Sequence, residues 1–149
     1  MVVQIALGTV LMLVSFLISA LAFWALEALM SRLRGWLIRE PHRPKLTLVL
    51  SVTVVWVLGT VSAGVWVWAL ALRALGIFDT MEASVYFALV AFTTLGFGDV
   101  LLPQDWRLLG GMAATNGLLS MGLMTAMLLE VLRHVRIGQL EMNRRETDT

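Results

Sequence analysis

The sequence predicts an all-α integral membrane protein with three spanning helices and one re-entrant segment. Three observations carry that expectation. Hydrophobic residues make up 59% of the 149-residue chain and charged residues only 14%, where an ordinary soluble domain carries about 25% charged residues. Residues 1–26, 46–72 and 108–129 hold no charged side chain, and a spanning helix needs about 20 apolar residues. Between the second and third runs, residues 83–92 form a shorter apolar stretch leading into Thr93-Thr94-Leu95-Gly96-Phe97-Gly98-Asp99.

Composition also excludes several classes. The mean hydropathy is +0.86. The chain has no cysteine, so disulfides, thiol chemistry and cysteine metal sites are absent. Its two histidines, His42 and His134, have no spacing that makes a metal pair. A net charge of +1 gives no electrostatic argument for nucleic acid. No buried nucleophile, base or metal cluster stands out, so an enzyme is not expected, nor is a cofactor.

In chain order, residues 1–30 read as a first spanning helix. A signal peptide is the rival, helped by Ala20-Leu21-Ala22. No Lys or Arg precedes the apolar run, and the run outlasts the roughly 7–15 residues of a signal core, so a retained helix is favoured. Glu27 falls near its inner end. Residues 31–45 hold Arg32, Arg34, Arg39, Arg43 and Lys45 with Pro41 and Pro44, which reads as a basic cytoplasmic loop. Trp36 reads as an interface anchor there, and the cluster is a possible site for anionic lipid. Residues 46–132 form a second module. It opens with a helix in which Gly59 with Ala63 and Thr60 with Gly64 place small residues on neighbouring faces. Trp66 and Trp68 fall near its outer end, where aromatic belts form. Arg73 alone is not a voltage sensor, which needs a ladder of arginines.

Residues 76–82 read as an outer turn, with Asp79 or Thr80 capping the next helix and Glu82 in its first turn. Residues 83–92 are too few to span. A short helix leading into glycine-rich backbone suits a re-entrant loop, and such backbone survives at membrane depth only when enclosed by protein or water. Pro103-Gln104 reads as a turn, Asp105 as an N-cap and Trp106 as an interface residue. Residues 108–129 would rise about 33 Å as a helix. Residues 133–149 form a short polar tail. Glu130 either contributes to an acidic ring or pairs with Arg133 or His134.

Glycine accepts a positive φ without steric cost. A strand with glycine at every second position, as at Gly96 and Gly98, can turn alternate peptides and aim successive carbonyls one way. Such a row can replace the hydration shell of a cation. Thr94 adds a hydroxyl at its start and Asp99 a carboxylate at its end. The stretch resembles the Thr-Val-Gly-Tyr-Gly-Asp selectivity filter of the tetrameric potassium channels. Thr94, Gly96, Gly98 and Asp99 match outright, while Leu95 stands for valine and Phe97 for tyrosine.

The resemblance implies a homotetrameric channel conducting K⁺ passively. The ion would be held by main-chain carbonyls of Thr94, Leu95, Gly96 and Phe97 and by the Thr94 hydroxyl, with Gly98 closing the filter. Relatives carry a glutamate four residues before the filter threonine; here that position is Val90. Relatives also place a tryptophan where Tyr86 stands, so the Tyr86 hydroxyl is expected either to bond Asp99 at the outer mouth or to pack at the interface. Gly117 to Ala126 resembles the inner helix of two-transmembrane bacterial potassium channels. There a glycine near Gly117 serves as hinge and one near Gly122 as packing point; packing alone explains either. Leu118, Met121, Thr125 and Leu129 share one helical face and would line the cavity and gate. Two alternatives remain: a weakly selective cation channel, if Leu95 loosens the filter, and a non-conducting subunit that assembles with other proteins.

Charge distribution fixes an orientation. Nine of the eleven Lys and Arg residues fall in 31–45 and in the tail, and two, Arg73 and Arg107, lie on the other side. The positive-inside rule then puts the N-terminus outside, the C-terminus in the cytoplasm and the pore loop entering from outside.

Overall fold

In the computed structural model, the backbone is described for residues 1–37 and 42–147, and side chains for 1–32 and 47–133. The order is α1 (Val2–Leu37), α2 (His42–Ala74), α3 (Met81–Phe92), a 3₁₀ turn (Gln104–Trp106) and α4 (Arg107–Thr147). Three segments are long and apolar enough to cross a membrane, Val2–Arg32, Thr47–Ala74 and Gln104–Arg133; α3 is not.

The centre of the expected basic loop, residues 38–41, lies outside the described residues, as do the side chains of Arg34, Trp36, Arg39, His42, Arg43, Lys45, His134, Arg136, Arg144 and Arg145. The backbone on either side of 38–41 is helical. Pro44 falls in the first turn of α2, where an N–H would have no intrahelical acceptor. At the other end, α4 runs on to Thr147, well beyond the uncharged run.

Each helix buries one stripe. In α2 it is Val65, Trp68, Ala69 and Leu72, the i, i+3, i+4, i+7 pattern of one helical face. In α3 it is Ser84, Ala88 and Phe92, and in α4 Leu109, Ala113, Asn116, Ser120, Met124 and Met127. A core of α2, α3 and α4 residues sits towards the α3 end of the molecule, and Leu7, Leu11 and Met12 of α1 pack against it. A smaller cluster joins Leu26 of α1 to Met124 and Met127. Trp68 is wholly buried in the larger core, so the expectation of an interface anchor fails there; Trp66, half exposed, keeps to it. Trp68 lies on the inward stripe, and that alone separates the two.

Lipid offers no hydrogen bonds, so hydroxyls inside spanning helices turn back on their own backbone. The hydroxyls of Ser19, Thr53 and Thr60 each donate to the carbonyl four residues earlier, at 3.0, 2.8 and 2.9 Å. Between helices, the Trp56 indole donates to the Ala22 carbonyl at 3.1 Å. Eighteen residues separate Ala22 from Gln4 and Trp56 from Ala74, about 27 Å of helix in each case. The start of α1 and the end of α2 therefore share one end of the molecule.

Candidate functional site

The site begins with how α3 is held. Thr80 caps it in extended conformation, its hydroxyl accepting from the Ala83 N–H at 3.1 Å. Glu82 lies in the first turn, where the helix dipole favours an acid. Of the two expected caps, Thr80 is the one that forms.

At the other end, the Thr94 N–H donates to the Ala91 carbonyl at 2.9 Å and the Leu95 N–H to the Val90 carbonyl at 3.1 Å. That pairing is a Schellman motif, whose penultimate residue must be left-handed and is usually glycine. Gly76 fills the role after α2, with φ +66° and the same pair of bonds, to Arg73 at 3.1 Å and from Ile77 to Leu72 at 3.2 Å. After α3 the role falls to Thr94, at φ +56°. A β-branched residue there is strained. Gly96 and Gly98 follow at φ +57° and +77°. Left-handed backbone thus recurs at every second position, 94, 96 and 98.

Phe92 anchors the start of this strand. It is buried, and its ring would meet a Cβ on Gly64 of α2 at 3.2 Å. Its main chain presses on α4: a Cβ on Gly117 would lie 2.3 Å from the Phe92 oxygen and 2.4 Å from its Cα. Gly117 is therefore a point of close approach between α4 and the end of α3, while a Cβ on Gly122 would meet nothing within 4 Å in the chain. Gly59 is equally open, so of the two glycines on α2 it is Gly64 that meets α3.

From Thr93 to Asp99 every residue is exposed, with Leu95 at 56% and Phe97 at 66%. The Tyr86 hydroxyl donates to Asp99 Oδ2 at 2.5 Å, and Asp99 Oδ1 accepts from the Val100 N–H at 3.0 Å. Tyr86 holds the Asp99 carboxyl below its ordinary value; desolvation opposes this, and backbone N–H groups of Asp99 and Val100 add to the lowering. The same bond raises the Tyr86 phenol. Val90 is half-buried.

Asp105 does not cap a helix. It lies inside the 3₁₀ turn, whose N-cap position is Pro103 without a side-chain bond. Its carbonyl instead accepts from the Gln4 amide, and Gln4 Oε1 accepts from the Leu108 N–H. Nothing in the sequence marked Gln4 beyond its amide in an apolar run.

On α4, Leu118, Met121, Thr125 and Leu129 are exposed. At 100° per residue they lie about 100–180° round the helix from the buried stripe. The Thr125 hydroxyl is taken up by the Met121 carbonyl at 2.9 Å. Buried Asn116 was also unmarked by the sequence reading, and its amide finds no partner among the described residues.

A family model described as ion channel matches residues 49–134, more than half of the chain. Neither the curated proteins nor the solved structures contain a match.

Proposed function

The chain belongs to that ion-channel family, and from this premise we propose that it is a K⁺-selective channel assembled from four copies, its filter built from residues 94–98. The observation that carries the reading is the left-handed backbone at Thr94, Gly96 and Gly98. Reversing φ at alternate residues turns alternate peptides and lets successive carbonyls face one side. The family premise and three apolar helices make this a multi-pass membrane protein. Its orientation, N-terminus outside and C-terminus in the cytoplasm of a cell-membrane protein, rests on the nine-to-two charge distribution.

Carbonyls of Thr94, Leu95, Gly96 and Phe97 would replace the hydration shell of K⁺, with the Thr94 hydroxyl at the inner end. The C-terminal end of α3 adds partial negative charge beside them. Asp99, ionised at neutral pH and steadied by Tyr86, would draw cations to the outer mouth. Exposed backbone at membrane depth must be enclosed, and one chain leaves 93–99 open; this supports assembly, with four as the number the resemblance implies. The exposed apolar face of Leu118, Met121 and Leu129 suits a cavity that closes by dewetting.

The test is ion flux from liposomes holding the purified chain, with K⁺ and Na⁺ gradients compared. K⁺ flux without Na⁺ flux, lost in Gly96→Ala, is expected. A Cβ on Gly96 meets nothing within 4 Å in the chain, so that loss would report the left-handed backbone and not a clash within it. Equal flux of both ions would sink the selectivity and point to Leu95.

A further inference from the structure

The first helix lies outside residues 49–134 that the family model covers. It is nonetheless tied to the segment following the filter. Gln4 Nε2 donates to the Asp105 carbonyl, and Gln4 Oε1 accepts from the Leu108 N–H at 3.3 Å. Leu108 is the second residue of α4, where a helix has no carbonyl of its own to offer that N–H. One amide thus grips both sides of the junction between the 3₁₀ turn and α4. Next to it, Gly8 lets α4 come close, since a Cβ there would lie 2.3 Å from the Met112 sulfur.

The filter strand is fixed at its start by Phe92 between Gly64 and Gly117. Its far end is held less firmly. Residues 99–103 carry one buried side chain, Leu102, and the exposed Tyr86–Asp99 bond. Leu102 packs into the larger core, and the next hydrogen bond that another helix makes to this segment is the Gln4 grip.

We propose that Gln4 is a positioning residue for the conduction site: through its amide, α1 fixes the Asp105–Leu108 junction and with it the outer end of the filter. This rests on the channel reading above. A residue that only docked α1 against its neighbours would behave differently, because leucine at position 4 would dock as well in apolar surroundings. Hydrogen-bond positioning ranks Gln above Glu above Leu. Glu keeps an acceptor for the Leu108 N–H but has no donor for the Asp105 carbonyl.

The experiment uses the full chain in liposomes, with Gln4→Leu, Gln4→Glu and Trp56→Phe. The last breaks the α1 tie at Ala22, far from the mouth. Two quantities are read: the decay of K⁺ flux with time, and amide hydrogen exchange over residues 99–108. Gln4→Leu removes both bonds and should speed both by about 25-fold, at the roughly fivefold that each hydrogen bond's net worth implies. Gln4→Glu should fall between it and wild type, and Trp56→Phe should match wild type. Unchanged exchange in Gln4→Leu overturns the proposal whether or not the protein conducts. Faster exchange with unchanged decay also overturns it, leaving Gln4 a docking residue. A wild-type chain silent to both K⁺ and Na⁺ would defeat the channel reading instead, and exchange would still decide the grip.

Discussion

The Tyr86 hydroxyl and the Asp99 carboxylate meet at 2.5 Å, joining the middle of the short helix to the end of the glycine-rich strand. The two residues are thirteen positions apart, so the bond closes a loop that contains the whole of the proposed filter. Tyr86→Phe keeps the ring and removes only the donor. It is expected to leave initial K⁺ flux intact and make it decay several-fold faster, as the mouth loses its charge-assisted tether. Flux records over time check this, and an unchanged decay would reduce Tyr86 to a packing residue.

The same pair sets a pH window. Asp99 is held below its ordinary value of 3.8, first by Tyr86. Its stabilising contribution is fully present above 3.8 and is lost as pH falls through the lowered value. Tyr86 is raised above 10.0, so its contribution is full below 10.0 and is lost as pH rises through the raised value. Flux decay should therefore be flat from pH 5 to 9 (these being roughly the bounds that both groups clear by a unit). The acid limb should move up towards 3.8 in Tyr86→Phe, because the largest cause of the lowering is gone. Decay rates measured against pH in both proteins test the direction.

Gly117 and Gly122 should respond oppositely to alanine. At Gly117 the new methyl would lie 2.3 to 2.7 Å from three main-chain atoms of Phe92. Backbone cannot swing away as a flexible side chain can. Gly117→Ala should therefore destabilise by about 1–3 kcal/mol and displace the start of the proposed filter. Gly122→Ala meets open space in the chain and gains helix propensity of up to about 1 kcal/mol. Thermal unfolding in detergent separates them. A Gly117→Ala midpoint equal to wild type would show that α3 and α4 sit further apart.

The three spans and the short helix were legible because lipid forces long uncharged runs, and the Thr80 cap because it uses the residue type that its geometry demands. Position along a periodic stripe was harder to read. Trp66 and Trp68 look alike in sequence, yet two positions, about 200° of helix rotation, put Trp68 in the core. Asp105 has the chemistry of an N-cap, but Pro103 takes the cap position of the turn and Asp105 contributes its carbonyl to Gln4 instead. Contacts of that kind join residues about a hundred positions apart, and no local pattern announces them. Asn116 is a related case: its amide shares an otherwise apolar stripe with Ser120, a signal present in the sequence but without a partner to give it meaning.

Thr94 and Gly76 occupy the same left-handed position in two Schellman motifs, and the contrast between them isolates what threonine is for. A left-handed non-glycine residue costs about 1–2 kcal/mol. Glycine would avoid that, and its greater freedom in the unfolded chain takes back only about 0.4–1 kcal/mol. On stability alone Thr94→Gly should thus be neutral to mildly stabilising, whereas Gly76→Ala should destabilise. Strain of this kind persists where the side chain is needed. The Thr93 hydroxyl is consumed by the Leu89 carbonyl at 2.8 Å, whereas no hydrogen bond of the Thr94 hydroxyl is found among the described residues. Thr94→Gly is accordingly expected to raise or hold the unfolding temperature while lowering K⁺ flux relative to Na⁺, and Thr94→Ser, which keeps the hydroxyl, to preserve that ratio. Paired unfolding and flux measurements decide it. If Thr94→Gly kept full K⁺ preference, the hydroxyl would not be an ion ligand and the strain at Thr94 would have no functional account.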